Sequence, residues 1–457
     1  MLIDTSRPVT LAAATQERTR SSRRWLRRTI LGVLAGAIVI LIWLELRTSW
    51  LQARFFHGIA SRATYEVAPG PAGDFRHPHS GPYDIRLGHS NLSQLTGRLT
   101  ERGFRIESQA RQSPVLHSLL TEGVAPPYPA KSQAGLQIHD RSGILLYDAR
   151  VPARVYPDFD AIPEVVVRSL LFIENRELLE DRFPHKNPAV EWDRLANAML
   201  GGGLRQVGLR GDTSGGSTLA TQLAKLRHSP DGVTRSAGDK LRQMTAASLA
   251  AYAGGLETAA ARRRIVTDYL NSISTAASPG YGEVLGLGDA LWVWYGADFE
   301  QVNTVLRDVR SPAGSPLDEQ ATALRQVLSL LMAVKRPSAY LARDPESLMR
   351  RTDAYLRLLE RAGIIPQALC ERALAVRPPL RRAIDPPPAW PFAERKATDA
   401  ARSELLQMLG LARVYDLDRL DLTVETTLDG EFQRRVADFL GRITDPGFVA
   451  RAGLRQD

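Results

Sequence analysis

Cysteine occurs once in the 457 residues, at Cys370. A single thiol excludes an internal disulfide framework and leaves stability to packing, without fixing the redox compartment. The motifs S-x-x-K and K-T-G are also missing, so the chain has no active-site serine of the penicilloyl-serine type. Histidine is sparse. Where it gathers, at His77, His79 and His89, no carboxylate or cysteine stands at ligand spacing, and solvated loop histidines are expected rather than a metal site. The net charge of +9 does not imply a basic binding face. Residues 1 to 28 hold seven arginines against Asp4 and Glu17, a balance of +5, and the remainder carries only +4. A nucleic-acid partner is therefore not expected.

Directly after this basic tail runs an uncharged apolar stretch from Thr29 to Leu44, flanked by Trp25 and Arg47. With snorkelling ends it has about the length needed to cross a bilayer. A cleaved secretory signal shares the basic start and apolar middle, but this run is long and no A-x-A site follows it. The expectation is a single-pass anchor over 29–46. Arginines keep the tail 1–28 in the cytoplasm and the bulk lies on the extracytoplasmic side, the periplasm if the cell has an outer membrane.

Beyond the anchor, residues 47–135 are expected to form a small α/β pedestal. Gly70-Pro71-Ala72-Gly73 marks a turn, Leu92, Leu95 and Leu99 repeat at helical spacing before Gly103, and Phe104 and Ile106 alternate like a strand. Gln137 to Tyr147 predicts a hairpin that turns at Gly143 and braces the next unit. From Ile162 the periodicity becomes helical, at Val166, Leu170 and Ile173, at Leu241, Met244, Ser248 and Tyr252, and at Leu324, Val327, Leu331 and Val334 before Pro337. A basic helix from Leu348 to Leu359 closes a mostly α unit over 136–375. Residues 376–457 begin with a stiff Pro-rich linker and continue into a C-terminal segment.

Chemistry concentrates at Gly215-Gly216-Ser217-Thr218-Leu219-Ala220-Thr221-Gln222-Leu223-Ala224-Lys225. Two glycines permit close backbone approach, the hydroxyls can cap a helix, and Gln222 and Lys225 lie three apart on one helix face. That set suits a sugar linked to a phosphate. Upstream, Glu174 in Ile173-Glu174-Asn175-Arg176-Glu177 continues an apolar helix face, i+4 from Leu170, where partial desolvation would raise its basicity. Downstream come Arg235 to Gln243, Tyr269-Leu270-Asn271 and Trp294-Tyr295-Gly296.

In this order the segments resemble the motifs of the peptidoglycan glycosyltransferases, the lysozyme-like transglycosylase domains of class A penicillin-binding proteins. The resemblance covers roughly residues 137 to 365. It implies a mostly α, lysozyme-like transglycosylase domain in which Glu174 is the base for the acceptor hydroxyl. Gly216, Ser217, Thr218, Gln222, Lys225, Arg235, Lys240, Asn271 and Arg351 would bind substrate. It further implies metal assistance, with Mg²⁺ the expected ion, lipid II and glycan strands as ligands, the membrane as the setting, and cell-wall synthesis proteins as partners. A second register of the first motif, Glu180-Asp181-Arg182-Phe183 with His185, stays open as an alternative. Val424 to Gln433 resembles the lead into a transpeptidase domain, and whether that half is lost or belongs to a longer polypeptide also stays open.

Two positions depart from the family pattern. Gln243 stands where its R-K-x-x-E motif has a catalytic glutamate, and Asp239 where it has an arginine. Glutamine keeps the shape but loses the charge, and Asp239 is expected to weaken the grip on pyrophosphate. The sequence thus supports a membrane-anchored glycosyltransferase of reduced activity. Its alternatives are a disabled scaffold that still binds glycan or lipid intermediates, and a lysozyme-like hydrolase.

Overall fold

The computed structural model describes residues 11–190, 217–309, 316–382, 384, 392–443 and 445–453. It is mostly helical with small sheets, as the periodicities predict. Gly215 and Gly216 lie outside the described residues.

The main core forms around the helix Leu317–Ala333, which is buried from Gln320 onward except at Thr322. A helix buried on all sides belongs at the centre of a domain. Around it pack the helices Glu164–Glu174, Gly286–Tyr295, Phe299–Leu306, Pro345–Arg361 and Gln367–Ala375. Val166, Leu170, Leu270, Leu287, Leu291, Leu324, Leu328 and Leu356 are all at most 1% exposed within this cluster. The Gly286–Tyr295 helix ends at Gly296, whose φ of 66° suits a left-handed cap and is available to glycine at no steric cost.

A second group of helices lies beside this core. Leu219–His228 packs on Ala237–Tyr252 and Ala259–Ser272, and Trp50–Ala60 packs on Ala237–Tyr252. The long helix Leu11–Thr48 contains the stretch Thr29–Thr48, which has a mean hydropathy of 2.4 and is the one helix among the described residues long and apolar enough to cross a membrane.

The hairpin appears where expected. Strand β3 (Leu136–His139) pairs antiparallel with β4 (Leu145–Asp148). The Asp140 carboxylate accepts from the N–H groups of Ser142 and Ile144, each at 2.8 Å, and Gly143 takes a φ of 81°. Strand β5 (Leu422–Glu425) then adds parallel to β3 from the far end of the chain, giving the order β4-β3-β5. Leu136 and Ile138 share their core with Leu405, Leu409, Leu417 and Leu420, with Leu95 and Leu99 against it. The hairpin, the helix Leu92–Glu101 and the C-terminal segment therefore form one packed unit.

The strand alternation expected at Phe104 and Ile106 is not found. Those residues are irregular, and the pedestal sheet instead pairs β1 (Tyr65–Pro69) with β2 (Ser108–Gln112). Its sides are largely exposed, so no apolar period marks it in the sequence.

Candidate active site

Glu174 is the last residue of the helix Glu164–Glu174, and its side chain is 13% exposed. Gln222 Nε2 donates to one carboxylate oxygen at 3.3 Å, and Lys335 Nζ lies 3.5 Å from the other. Tyr269 stands beside this group: burial, and then the charge of Glu174, push its hydroxyl well above the ordinary tyrosine range. Next in the chain, Asn175 is buried, and its Oδ1 accepts from the Leu219 N–H at 3.3 Å. This bond fixes the start of the Gln222 helix against the end of the Glu174 helix.

Thr218 caps that helix. Its Oγ1 accepts from Thr221 N at 3.2 Å and the residue is 1% exposed, so its hydroxyl serves the backbone rather than facing a ligand. One turn after Gln222 comes Lys225, whose charge acts on Lys240 of the neighbouring helix. Lys240 Nζ donates to Ser217 Oγ at 2.7 Å, and burial together with the charge of Lys225 holds its ammonium below the ordinary lysine value. Among the described residues no carboxylate pairs with either lysine. Two cations that feel each other's charge are costly unless an anion joins them.

Other expected site residues are used elsewhere. Arg235 is exposed and pairs with Asp231. Asn271 is buried with its amide wholly committed to the backbone of Tyr156, accepting from its N–H at 2.9 Å and donating to its carbonyl at 2.8 Å. The Arg351 guanidinium lies 5.7 Å from the centre of the Tyr355 ring, and no described contact joins it to Glu174. The second motif register forms a loop around buried Arg262, whose guanidinium donates to the carbonyls of Glu180 and Phe183 at 2.6 Å each. The Glu180 side chain points to solvent.

The two departures have structural explanations. Asp239 closes a capping box: its carboxylate accepts from Ser236 N at 2.9 Å and Arg235 N at 3.0 Å, while Ser236 Oγ accepts from Asp239 N at 3.0 Å. Arg242 takes the other oxygen at 2.5 Å. The anion is spent on its own helix terminus, where the dipole favours it. These bonds hold the Asp239 carboxyl below the usual carboxylate range. Its stabilisation is present above the unfolded value and is lost as pH falls through the depressed folded value. Asp239→Asn is therefore expected to melt below the parent at neutral pH, with the gap closing in acid. Thermal melts across that range check this.

Gln243, 4% exposed, ties the loop between the two helices to the second of them. Its Nε2 donates to Ser229 Oγ at 2.9 Å and its Oε1 accepts from Thr234 Oγ1 at 3.0 Å. Gln243→Ala leaves the buried Ser229 hydroxyl without that partner and is expected to destabilise the fold by about 1–3 kcal/mol. A denaturant titration reads this directly.

Among the described residues no three histidine, cysteine or carboxylate side chains come together to hold a metal. Sequence reasoning missed Lys335 and Asn175. Lys335 was signalled only as a basic residue between the central helix and Pro337, and Asn175 as an amide at a helix end.

Comparison with curated proteins returns no match. Residues 143–360, a span that includes Glu174, Gln222, Lys225, Lys240 and Lys335, match the family described as transglycosylase. The segment from residue 143 to residue 360 is thus a domain of the transglycosylase family, whose chemistry is glycosyl transfer.

Proposed function

We propose that this domain is a peptidoglycan glycosyltransferase that polymerises lipid II into glycan strands in cell-wall biogenesis. The Thr29–Thr48 helix would hold it to the bacterial plasma membrane with its bulk on the extracytoplasmic side. Glu174 takes the proton of the acceptor 4-hydroxyl while that oxygen attacks the donor anomeric carbon. The bond from that carbon to the pyrophosphate oxygen breaks with inversion, and undecaprenyl pyrophosphate leaves with the electron pair. Lys225 and Lys240 neutralise the charge that develops on it. No step requires a metal held by the protein.

One observation carries the reading. The carboxylate is hydrogen-bonded to Gln222, and one turn further along that helix stands Lys225, whose charge acts on the half-buried Lys240, with no carboxylate pairing either lysine among the described residues. Cleavage of a neutral glycosidic bond has no use for such a cation pair, which weighs against a hydrolase. The scaffold reading draws on Gln243 and Asp239, but both have roles in the fold.

Purified protein incubated in detergent with labelled lipid II tests the proposal, beside Gln243→Glu and with Mg²⁺ or a chelator. Glycan strands from the parent, with no gain from Gln243→Glu, are the expected result. Strands from Gln243→Glu alone would make the parent a disabled scaffold.

A further inference from the structure

The helix Trp50–Ala60 is apolar on two opposite faces. Its inner face packs on the helix Ala237–Tyr252: Ala53 is 1% and Ala60 6% exposed, Phe56 stacks on Tyr252 at 6.2 Å, and His57 Nδ1 contacts the Tyr252 carbonyl at 2.9 Å. Its outer face bears Trp50, Leu51 and Phe55, which are 46%, 60% and 63% exposed. A helix apolar all round is normally covered on all sides. Here the Arg54 guanidinium, 4.0 Å from the Trp50 ring centre, is the one cation on the outer side.

What adjoins that face is set by the joint before it. The apolar helix ends at Thr48, and one residue, Ser49, separates the two helices with a left-handed φ of 55°. Ser49 is 1% exposed, and the Glu45 carboxylate accepts from the N–H groups of Leu51 at 2.9 Å and Gln52 at 3.0 Å, capping the second helix across the bend. Gln52 in turn accepts from Asn187, which donates to Ser248 at 2.9 Å. The bend is fastened at both ends, so a membrane span in the first helix keeps the second at the bilayer surface.

We infer that Trp50, Leu51 and Phe55 insert into the headgroup region of the bilayer, with Arg54 snorkelling to lipid phosphates, and so fix the height and tilt of the catalytic domain above the membrane. The inference rests on the reading of Thr29–Thr48 as a membrane anchor.

Full-length protein in phosphatidylethanolamine and phosphatidylglycerol vesicles tests it, with an environment-sensitive fluorophore on a single introduced cysteine. The native Cys370 is buried. Phe55→Cys should lose fluorescence to lipids spin-labelled near the headgroup, Ile38→Cys to lipids labelled deep in the acyl chain, and Ala354→Cys to neither. Quenching at position 55 by aqueous iodide alone, with position 38 still quenched by deep lipid, would overturn the inference and leave the anchor standing. Protection of position 55 from both quenchers would mean protein covers the face, and would also overturn it. No lipid quenching at position 38 would remove the anchor reading itself.

Discussion

Glu174→Gln is expected to lower glycan-strand formation by about 10²–10⁴-fold, the usual contribution of a positioned general base. The substitution keeps the side-chain shape at the end of the Glu164–Glu174 helix, so the effect falls on proton transfer rather than folding. It removes the counter-charge of Lys335, but that ammonium is 47% exposed and water can take over its solvation. With the lysine this exposed, a change in stability of only about 0–1 kcal/mol is expected. Steady-state rates with labelled lipid II, read beside a thermal melt, separate the two effects. A Glu174→Gln protein as fast as the parent would remove this carboxylate from the chemistry.

Asp353→Ala should produce the largest loss of stability. Arg325 is fully buried in the central helix, and its guanidinium donates to Asp353 Oδ1 and to the Ala373 carbonyl, each at 2.6 Å. Removing the carboxylate leaves a buried cation with no opposite charge, a change that costs about 3–5 kcal/mol. For a domain of this size that corresponds to a fall in Tm of roughly 10 °C. Arg325→Met should cost less, because Asp353 keeps the two 3.0 Å bonds from Arg377 and its own place near solvent. Equal losses in the two variants would show that packing, rather than an unpaired charge, dominates at this point.

The helices were legible in the sequence wherever burial is one-sided or complete. Val166, Leu170 and Ile173 repeat at the helical period, as do Leu324, Val327, Leu331 and Val334, because both helices pack those positions in or against the main core. The joining of β5 to β3 was not legible. Its register pairs Leu136 with Leu422 and Ile138 with Val424, and no local pattern encodes a partner so far along the chain. At the site, motif order brought out Glu174, Gln222, Lys225 and Lys240, whereas Lys335 reaches Glu174 only through tertiary folding. Asp239 is the instructive case. Ser236-x-x-Asp239 is itself a capping signature, yet comparison with a catalytic motif presents the same aspartate as a lost cation. The Gln243 contacts, to hydroxyls nine and fourteen residues away, have no such local signature.

The most direct test of the account is to follow two products of the same purified full-length protein: polyprenyl pyrophosphate released from labelled lipid II, and muropeptides released from isolated sacculi. A cationic site beside one carboxylate predicts polyprenyl pyrophosphate rising in step with glycan strands, and no muropeptides. Muropeptides without polyprenyl pyrophosphate would contradict it and make the domain a hydrolase.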